Sequence, residues 1–118
     1  MNAAGVGLLA GTDTPLGSLP GFALHTELEL LVRAGLSPAE ALRAATLAPA
    51  QCFKREDDLG TVASGKLADL LLLNANPLED IRNTTRIETV VVNGRVYDRK
   101  ELDVILNRRE AAVKAGSQ

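Results

Sequence analysis

The apolar positions at the start of the chain have first the spacing of a strand and then that of a helix. Residues 5–10 form a short apolar run that ends at Gly11-Thr12-Asp13, which predicts a buried strand entering a loop. Glycines and prolines continue this loop to residue 21. A repeat typical of one helix face follows, and Gly35 suits the end of that helix. Its apolar positions are Leu24, Leu28, Leu31 and Val32.

A second helix is predicted from its start signal. Ser37 can cap the helix, Pro38 fits its first turn, and Glu40 completes a capping box. We expect this helix to run to about residue 48, because Pro49 follows, and to be succeeded by a short helical turn over residues 50–53.

Beyond the charged run at residues 54–58, strand patterns replace helical ones. Residues 60–62 predict a brief strand, and residues 68–73 predict a longer one. The longer strand contains four consecutive leucines, so both of its faces are expected to be buried. Two more strands, at residues 87–92 and 95–97, are expected to be joined by the hairpin turn Asn93-Gly94. The apolar positions of a last predicted helix are Leu102, Ile105, Leu106 and Val113.

Composition narrows the class of protein without defining a function. The chain has 118 residues, of which 46% are hydrophobic and 24% charged, which indicates one small globular domain or part of a larger one. A formal net charge of -2 argues against a nucleic-acid partner, and no apolar run approaches the roughly 20 residues of a membrane span. Cys52 is the only cysteine, so an internal disulfide and a cysteine-based zinc site are excluded. We expect Cys52 to be a small buried hydrophobe.

Two side chains are candidates for chemistry. Asp13 follows the predicted strand, and barrel enzymes place catalytic groups at the C-terminal ends of their strands. Asp13 could instead cap a turn or a helix, and the short motif alone favours that interpretation. His25, at the start of the first helix, is either a functional ligand or a packed residue; spacing alone favours the latter. Glu29, four residues on, shares its helix face, but catalytic zinc normally has three protein ligands.

Two other patterns favour structural roles. Glu27 and Glu29 are two residues apart and point in different directions, so we expect them on a solvated helix face rather than as an acid/base pair. Gly60 and Gly65-Lys66 have the spacing of a phosphate loop, but Leu67 stands where Ser or Thr is required and a strand follows. Phosphate binding is therefore not expected.

Several motifs, in order along the chain, resemble the C-terminal part of the metal-dependent amidohydrolases. Gly11-Thr12-Asp13 resembles the last barrel strand of that superfamily, and residues 24–46 resemble the helices that follow. Leu59-Gly60-Thr61-Val62 with Gly65-Lys66-Leu67-Ala68-Asp69-Leu70 resembles the return of the chain into the small β-sandwich beside the barrel. Residues 90–96 are similar to its closing hairpin. The likeness is nearest to the imidazolonepropionase-like and prolidase-like subgroup.

The resemblance implies an α/β fold, namely the C-terminal part of a (β/α)8 barrel with part of a small β-sandwich. Residues 1–58 would hold the last barrel strand, its loop and helices. Residues 59–98 would belong to the sandwich, with Asp69 fixing a turn or strand end, and residues 99–118 would form a C-terminal helix and tail. A full barrel takes roughly 250 residues. We therefore expect a piece of a longer protein, a partial gene product or one half of a split enzyme.

The resemblance also implies a function, hydrolysis of amide, cyclic amide or dipeptide C–N bonds in a small-molecule substrate. Asp13 would be a metal ligand and proton shuttle, and His25 would contact substrate. The metal would be zinc or another divalent ion. The family's other ligands include histidines that this chain, with one histidine, lacks. We expect the chain alone to bind no catalytic metal and to be inactive. The alternative is a non-catalytic structural or interaction module descended from the family.

Two further expectations concern the surroundings of the chain. An unpaired barrel strand and apolar helix faces favour self-association, so a homo-oligomer is expected. Neither nucleic acid nor membrane is an expected partner, and a cytoplasmic location is expected.

Overall fold

The computed structural model describes residues 7–13 and 21–115. Within them the α-helices are α1 (Ala23–Arg33), α2 (Pro38–Ala45), α3 (Leu47–Cys52) and α4 (Arg99–Ala115). The strands are β1 (Leu70–Leu73), β2 (Ile87–Val92) and β3 (Arg95–Tyr97), and a 3-10 helix spans Ile81–Thr85. The predicted loop at residues 14–20 lies outside the described residues.

The ends of α1 and the start of α2 confirm the predicted helix signals. Gly35 has a φ of 106°, and its N–H donates to the Val32 carbonyl while that of Leu36 donates to the Leu31 carbonyl. These two bonds make a Schellman motif, which glycine allows because it has no Cβ. At the start of α2 the Ser37 hydroxyl accepts from the Glu40 N–H, and the Glu40 carboxylate accepts from the Ser37 N–H.

The second helix is shorter than predicted, and Pro49 does not end it. α2 stops at Ala45, Thr46 departs from helical geometry with a φ of -128°, and α3 starts at Leu47. Pro49 is the third residue of α3, where the missing N–H is unneeded. The expectation of a buried Cys52 is also wrong. Cys52 is exposed because it lies two residues after Ala50, the buried residue of α3.

The described strands form one antiparallel sheet in the order β1-β2-β3. Leu70 pairs with Val91, and a shift in register occurs between Leu72 and Leu73. The Asn93-Gly94 turn confirms the predicted hairpin, since both residues have positive φ values, 49° and 79°, as a type I′ turn requires. Asp69 fixes this turn, as expected, because its carboxylate accepts from the Asn93 N–H at 2.6 Å.

Three strand predictions are wrong for the described residues. Residues 7–10 and 60–62 form no strand, because neither segment has a neighbouring strand with which to share a ladder. Ala10 instead donates to the Ala44 carbonyl at the end of α2, at 2.9 Å. β1 is not buried on both faces: Leu71 and Leu72, which point to opposite sides, are 55% and 51% exposed.

The core joins the helices to the segment before β2. Leu28 of α1, Ala41 of α2 and Ile81 of the 3-10 helix form its buried cluster, with half-buried apolar neighbours from α1 and α2. This contact crosses the predicted boundary between residues 58 and 59. The predicted last helix is confirmed as α4, and the 3-10 helix was not predicted. Among the described residues no helix is both long and apolar enough to span a bilayer.

Candidate functional site

Asp13 lies at the end of the segment formed by residues 7–13, with an exposed side chain and a φ of 31°. Left-handed backbone is costly for most residues, although aspartate adopts it more readily than others. The contacts that tie this segment to the helices include the bond from Ala10 to Ala44 and a bond from the Gly11 N–H to the Glu27 carboxylate at 2.6 Å. The Asp13 backbone is therefore anchored two residues upstream.

Glu27 is the residue whose importance the sequence did not reveal. One carboxylate oxygen, Oε1, accepts from Gly11, and the other, Oε2, is buried with no hydrogen-bond partner among the described residues. The expectation of a solvated face is thus wrong for Glu27. A helical wheel would have indicated this, because Glu27 is three residues after Leu24 and four before Leu31 and so borders the apolar stripe.

His25 reaches across the sequence to the 3-10 helix. Its Nδ1 lies 3.0 Å from the hydroxyl of Thr84, a residue only 5% exposed. That hydroxyl already donates its hydrogen to the Ile81 carbonyl at 2.9 Å. Since a hydroxyl has one hydrogen, it must accept from His25, so Nδ1 carries a proton. The bond occupies Nδ1, so Nε2 is the ring nitrogen left for any further partner, and contact with substrate stays a prediction.

A shallow cleft of about 500 Å³ opens beside the anchored segment. Its described lining is mostly apolar and consists of Gly11, Thr12, Phe22, Ala23, Thr26, Glu27 and Leu30. The structure thus brings the Gly-Thr part of the motif together with α1. Neither Asp13 nor His25 is among these lining residues.

The described residues do not by themselves fit a catalytic metal. No group of three or more His, Cys, Asp or Glu side chains in residues 7–13 and 21–115 is placed to hold an ion. Asp13 could supply one carboxylate oxygen, but catalytic zinc takes three protein ligands. A complete site would require ligands from outside this part of the chain.

The Gly65-Lys66 loop has a structural role. Lys66 Nζ donates to the Glu56 carbonyl and, at 2.7 Å, to the Thr61 hydroxyl. The ammonium group is thus occupied in closing its own loop.

An ion pair at the start of the 3-10 helix shifts the pKa values of both its partners, Asp80 and Arg82. The Arg82 side chain donates to the Asp80 carboxylate, with a closest contact of 2.6 Å. The Arg82 backbone N–H donates to the same carboxylate. These hydrogen bonds hold the pKa of Asp80 below its usual value and raise that of Arg82. The shift reflects a helix cap and an exposed ion pair rather than a catalytic group.

Comparison with known proteins defines the family. The sequence profile of the amidohydrolase family matches residues 1–97, and the chain belongs to that family. An imidazolonepropionase of Geobacillus sp. (strain WCH70) is 36% identical over 97 residues, covering 79% of this chain and 23% of the relative. An ochratoxinase of Aspergillus niger is 41% identical over 81 residues, covering 67% and 16%.

Solved structures agree with this assignment. A molinate hydrolase superimposes with a TM-score of 0.71 at 32% identity, covering 81% of this chain and 24% of that one. For a Bifidobacterium longum protein described as a prolidase, the TM-score is 0.76 at 40% identity, with coverages of 91% and 28%. The chain therefore spans between about a sixth and somewhat more than a quarter of these relatives.

The family assignment confirms the resemblance to the imidazolonepropionase-like and prolidase-like amidohydrolases. Its members are hydrolases that act on C–N bonds, and the family generally uses divalent metals. The described helices and three-stranded sheet are compatible with part of such a protein.

Proposed function

We propose that this chain forms the C-terminal end of the barrel of a metal-dependent amidohydrolase, with part of the adjoining β-sandwich. The assembled enzyme would hydrolyse an amide, cyclic amide or dipeptide C–N bond in a small molecule. The observation that carries the proposal is the family match, which includes the Gly11-Thr12-Asp13 motif. The anchoring of this motif on α1 supports it, because a catalytic carboxylate requires a defined backbone.

Within this proposal, Asp13 serves as a metal ligand and proton acceptor, and His25 contacts substrate. Zinc is the preferred ion, and it would generate the nucleophilic water when bound. The remaining ligands come from outside the described residues, since those residues supply no cluster for a metal. We accordingly propose that the chain alone is inactive.

Replacing part of a relative tests the function directly. Residues 1–97, the range that the family profile matches, would replace the corresponding segment of the Geobacillus imidazolonepropionase, which is 36% identical over an aligned length of 97 residues. We expect the chimera to bind its metal and turn over the relative's own substrate, and Asp13→Asn to abolish turnover while the chimera stays folded. A chimera whose activity is unaffected by Asp13→Asn would refute the assigned role. A folded but inactive chimera would instead favour the non-catalytic module.

We also propose that the isolated chain self-associates through the exposed faces of its sheet. On these faces Leu71, Leu72, Val92 and Val96 are each more than half exposed. Such side chains favour association with an apolar partner, here a second copy. Elemental analysis coupled to size-exclusion light scattering should find a metal-free oligomer. A metal-free monomer would contradict self-association, and stoichiometric zinc would contradict the expectation that the isolated chain binds no catalytic metal.

A further inference from the structure

We propose that Glu27 is a positioning residue for Asp13; this inference rests on the proposed function. Its Oε1 accepts from the Gly11 N–H at 2.6 Å, and Gly11 precedes Asp13 by two residues. A hydrogen bond to an ionised carboxylate is shorter and stronger than one between neutral groups. Glu27 therefore fixes the backbone from which the Asp13 carboxylate projects.

The helix that carries Glu27 is itself held in place by contacts with the 3-10 helix. Leu28, the next residue, is 4% exposed and packs in the core with Ile81. His25, two residues earlier, donates to Thr84 of the 3-10 helix. Because neighbours on both sides of Glu27 are attached to a second element, its carboxylate is a fixed reference point rather than a mobile surface group.

Asp13 needs such an anchor. Its φ of 31° belongs to the left-handed region, which L residues occupy at a cost. A strained conformation persists only when the surrounding structure determines it. Bonds that hold the segment before Asp13 include those from Ala10 to Ala44 and from Gly11 to Glu27, and of these the second lies nearer to Asp13.

The second oxygen of Glu27 distinguishes positioning from direct contact with a ligand. Oε2 is shielded from solvent, although Glu27 contributes to the wall of the cleft. A molecule entering that cleft could not reach Oε2 without a rearrangement. The carboxylate thus acts through the Gly11 N–H, and removing the Glu27 side chain should first weaken the protection of that N–H.

Nuclear magnetic resonance of the whole chain tests the positioning without requiring turnover. We would compare Glu27→Ala, Glu27→Gln and the matched control Glu29→Ala on the same helix. Glu27→Ala should accelerate amide exchange of Gly11 by about tenfold, the equivalent of one lost hydrogen bond. Scalar couplings at Asp13 should lose the signature of positive φ. Glu27→Gln keeps an acceptor oxygen and should restore most of both properties, and Glu29→Ala should leave them unchanged.

The same substitutions in the chimera supply the functional readout. Glu27→Ala should lower kcat about 10- to 100-fold, as loss of a residue that orients a ligand does, with a smaller change in KM. Glu27→Gln should recover most of the loss. Circular dichroism of each variant establishes that the overall helix content is retained.

The outcomes separate the two proposals. Unchanged Gly11 exchange and Asp13 couplings in Glu27→Ala would overturn the positioning role, and so would unchanged kcat in an active chimera. An inactive chimera carrying the native segment would count against the proposed function only. In that event the resonance data on the whole chain still decide whether Glu27 holds Asp13.

Discussion

Gly60 offers a test of how tightly the segment before β1 packs on the helices. A Cβ at this position would lie 2.8 Å from the Ala50 Cβ, 3.0 Å from the Leu47 Cα and 3.2 Å from the Thr46 carbonyl oxygen. Two of these atoms belong to backbone and cannot move aside cheaply. Gly60→Ala should therefore force the segment away from α3.

Gly65 is the matched control for this substitution. Its φ of 88° is almost the same as the 87° of Gly60, but a Cβ there would meet no heavy atom of the described structure within 4 Å. Both alanine variants incur the left-handed backbone cost of about 1–2 kcal/mol. Only Gly60→Ala adds the steric cost, about 1–3 kcal/mol for overpacking. The difference between the variants isolates the contact.

Urea unfolding followed by circular dichroism measures both free energies. All samples need the same protein concentration, because self-association contributes to apparent stability. We expect Gly65→Ala to lower the free energy of unfolding by about 1–2 kcal/mol, and Gly60→Ala by about 2–5 kcal/mol. Equal losses in the two variants would refute the close approach of Gly60 to α3.

Three further predictions concern caps and long-range bonds. Thr84→Val should lower the free energy of unfolding in urea by about 1–3 kcal/mol, because the hydroxyl's bonds to the Ile81 carbonyl and from His25 are both lost. Thr84→Ser should keep both bonds, and a loss no larger for valine than for serine would refute the prediction. Ser37→Ala should lower the free energy of unfolding by about 1 kcal/mol and Ser37→Asn by much less. Equal losses in the two variants would argue against the capping box. The carboxyl of Asp80 should titrate below its usual pKa and move back toward it in Arg82→Gln, as resonance titration can establish. Because the folded pKa is lowered, this ion pair stabilises the fold above the unfolded pKa of about 3.9 and loses its effect as pH falls through the folded value. An Asp80 pKa that is the same in Arg82→Gln as in the unchanged chain would contradict the prediction.

Local signals explain which elements could be predicted. The Schellman glycine Gly35, the capping box from Ser37 to Glu40 and the turn Asn93-Gly94 all act within a few residues, so their geometry is written in adjacent positions. The break at Thr46 carries no comparable signal, and the 3-10 helix at Ile81–Thr85 has only the capping Asp80 before it.

The candidate site was only partly predictable, because the bonds that build it join residues far apart in the chain. The motif around Asp13 was recognisable from its order with later motifs, and its metal and catalytic roles stay predictions. The bond from Gly11 to Glu27 joins residues 16 positions apart, and that from His25 to Thr84 spans 59 positions. No spacing rule of a helix or strand connects residues so distant, so both partners emerged only from the fold.

The sequence by itself determined the family, the helix caps, the hairpin and the structural role of Asp69, because each depends on short-range chemistry or on an ordered set of motifs. The tertiary structure decided which apolar residues are buried. The leucines of β1 are identical in type, yet Leu71 and Leu72 stay more than half exposed while Leu28 of α1 is 4% exposed. Burial depends on what packs against a side chain, and that partner comes from elsewhere in the chain. The same holds for Glu27, whose carboxylate lies on an amphipathic helix by sequence but acquires its role only where residues 7–13 meet α1.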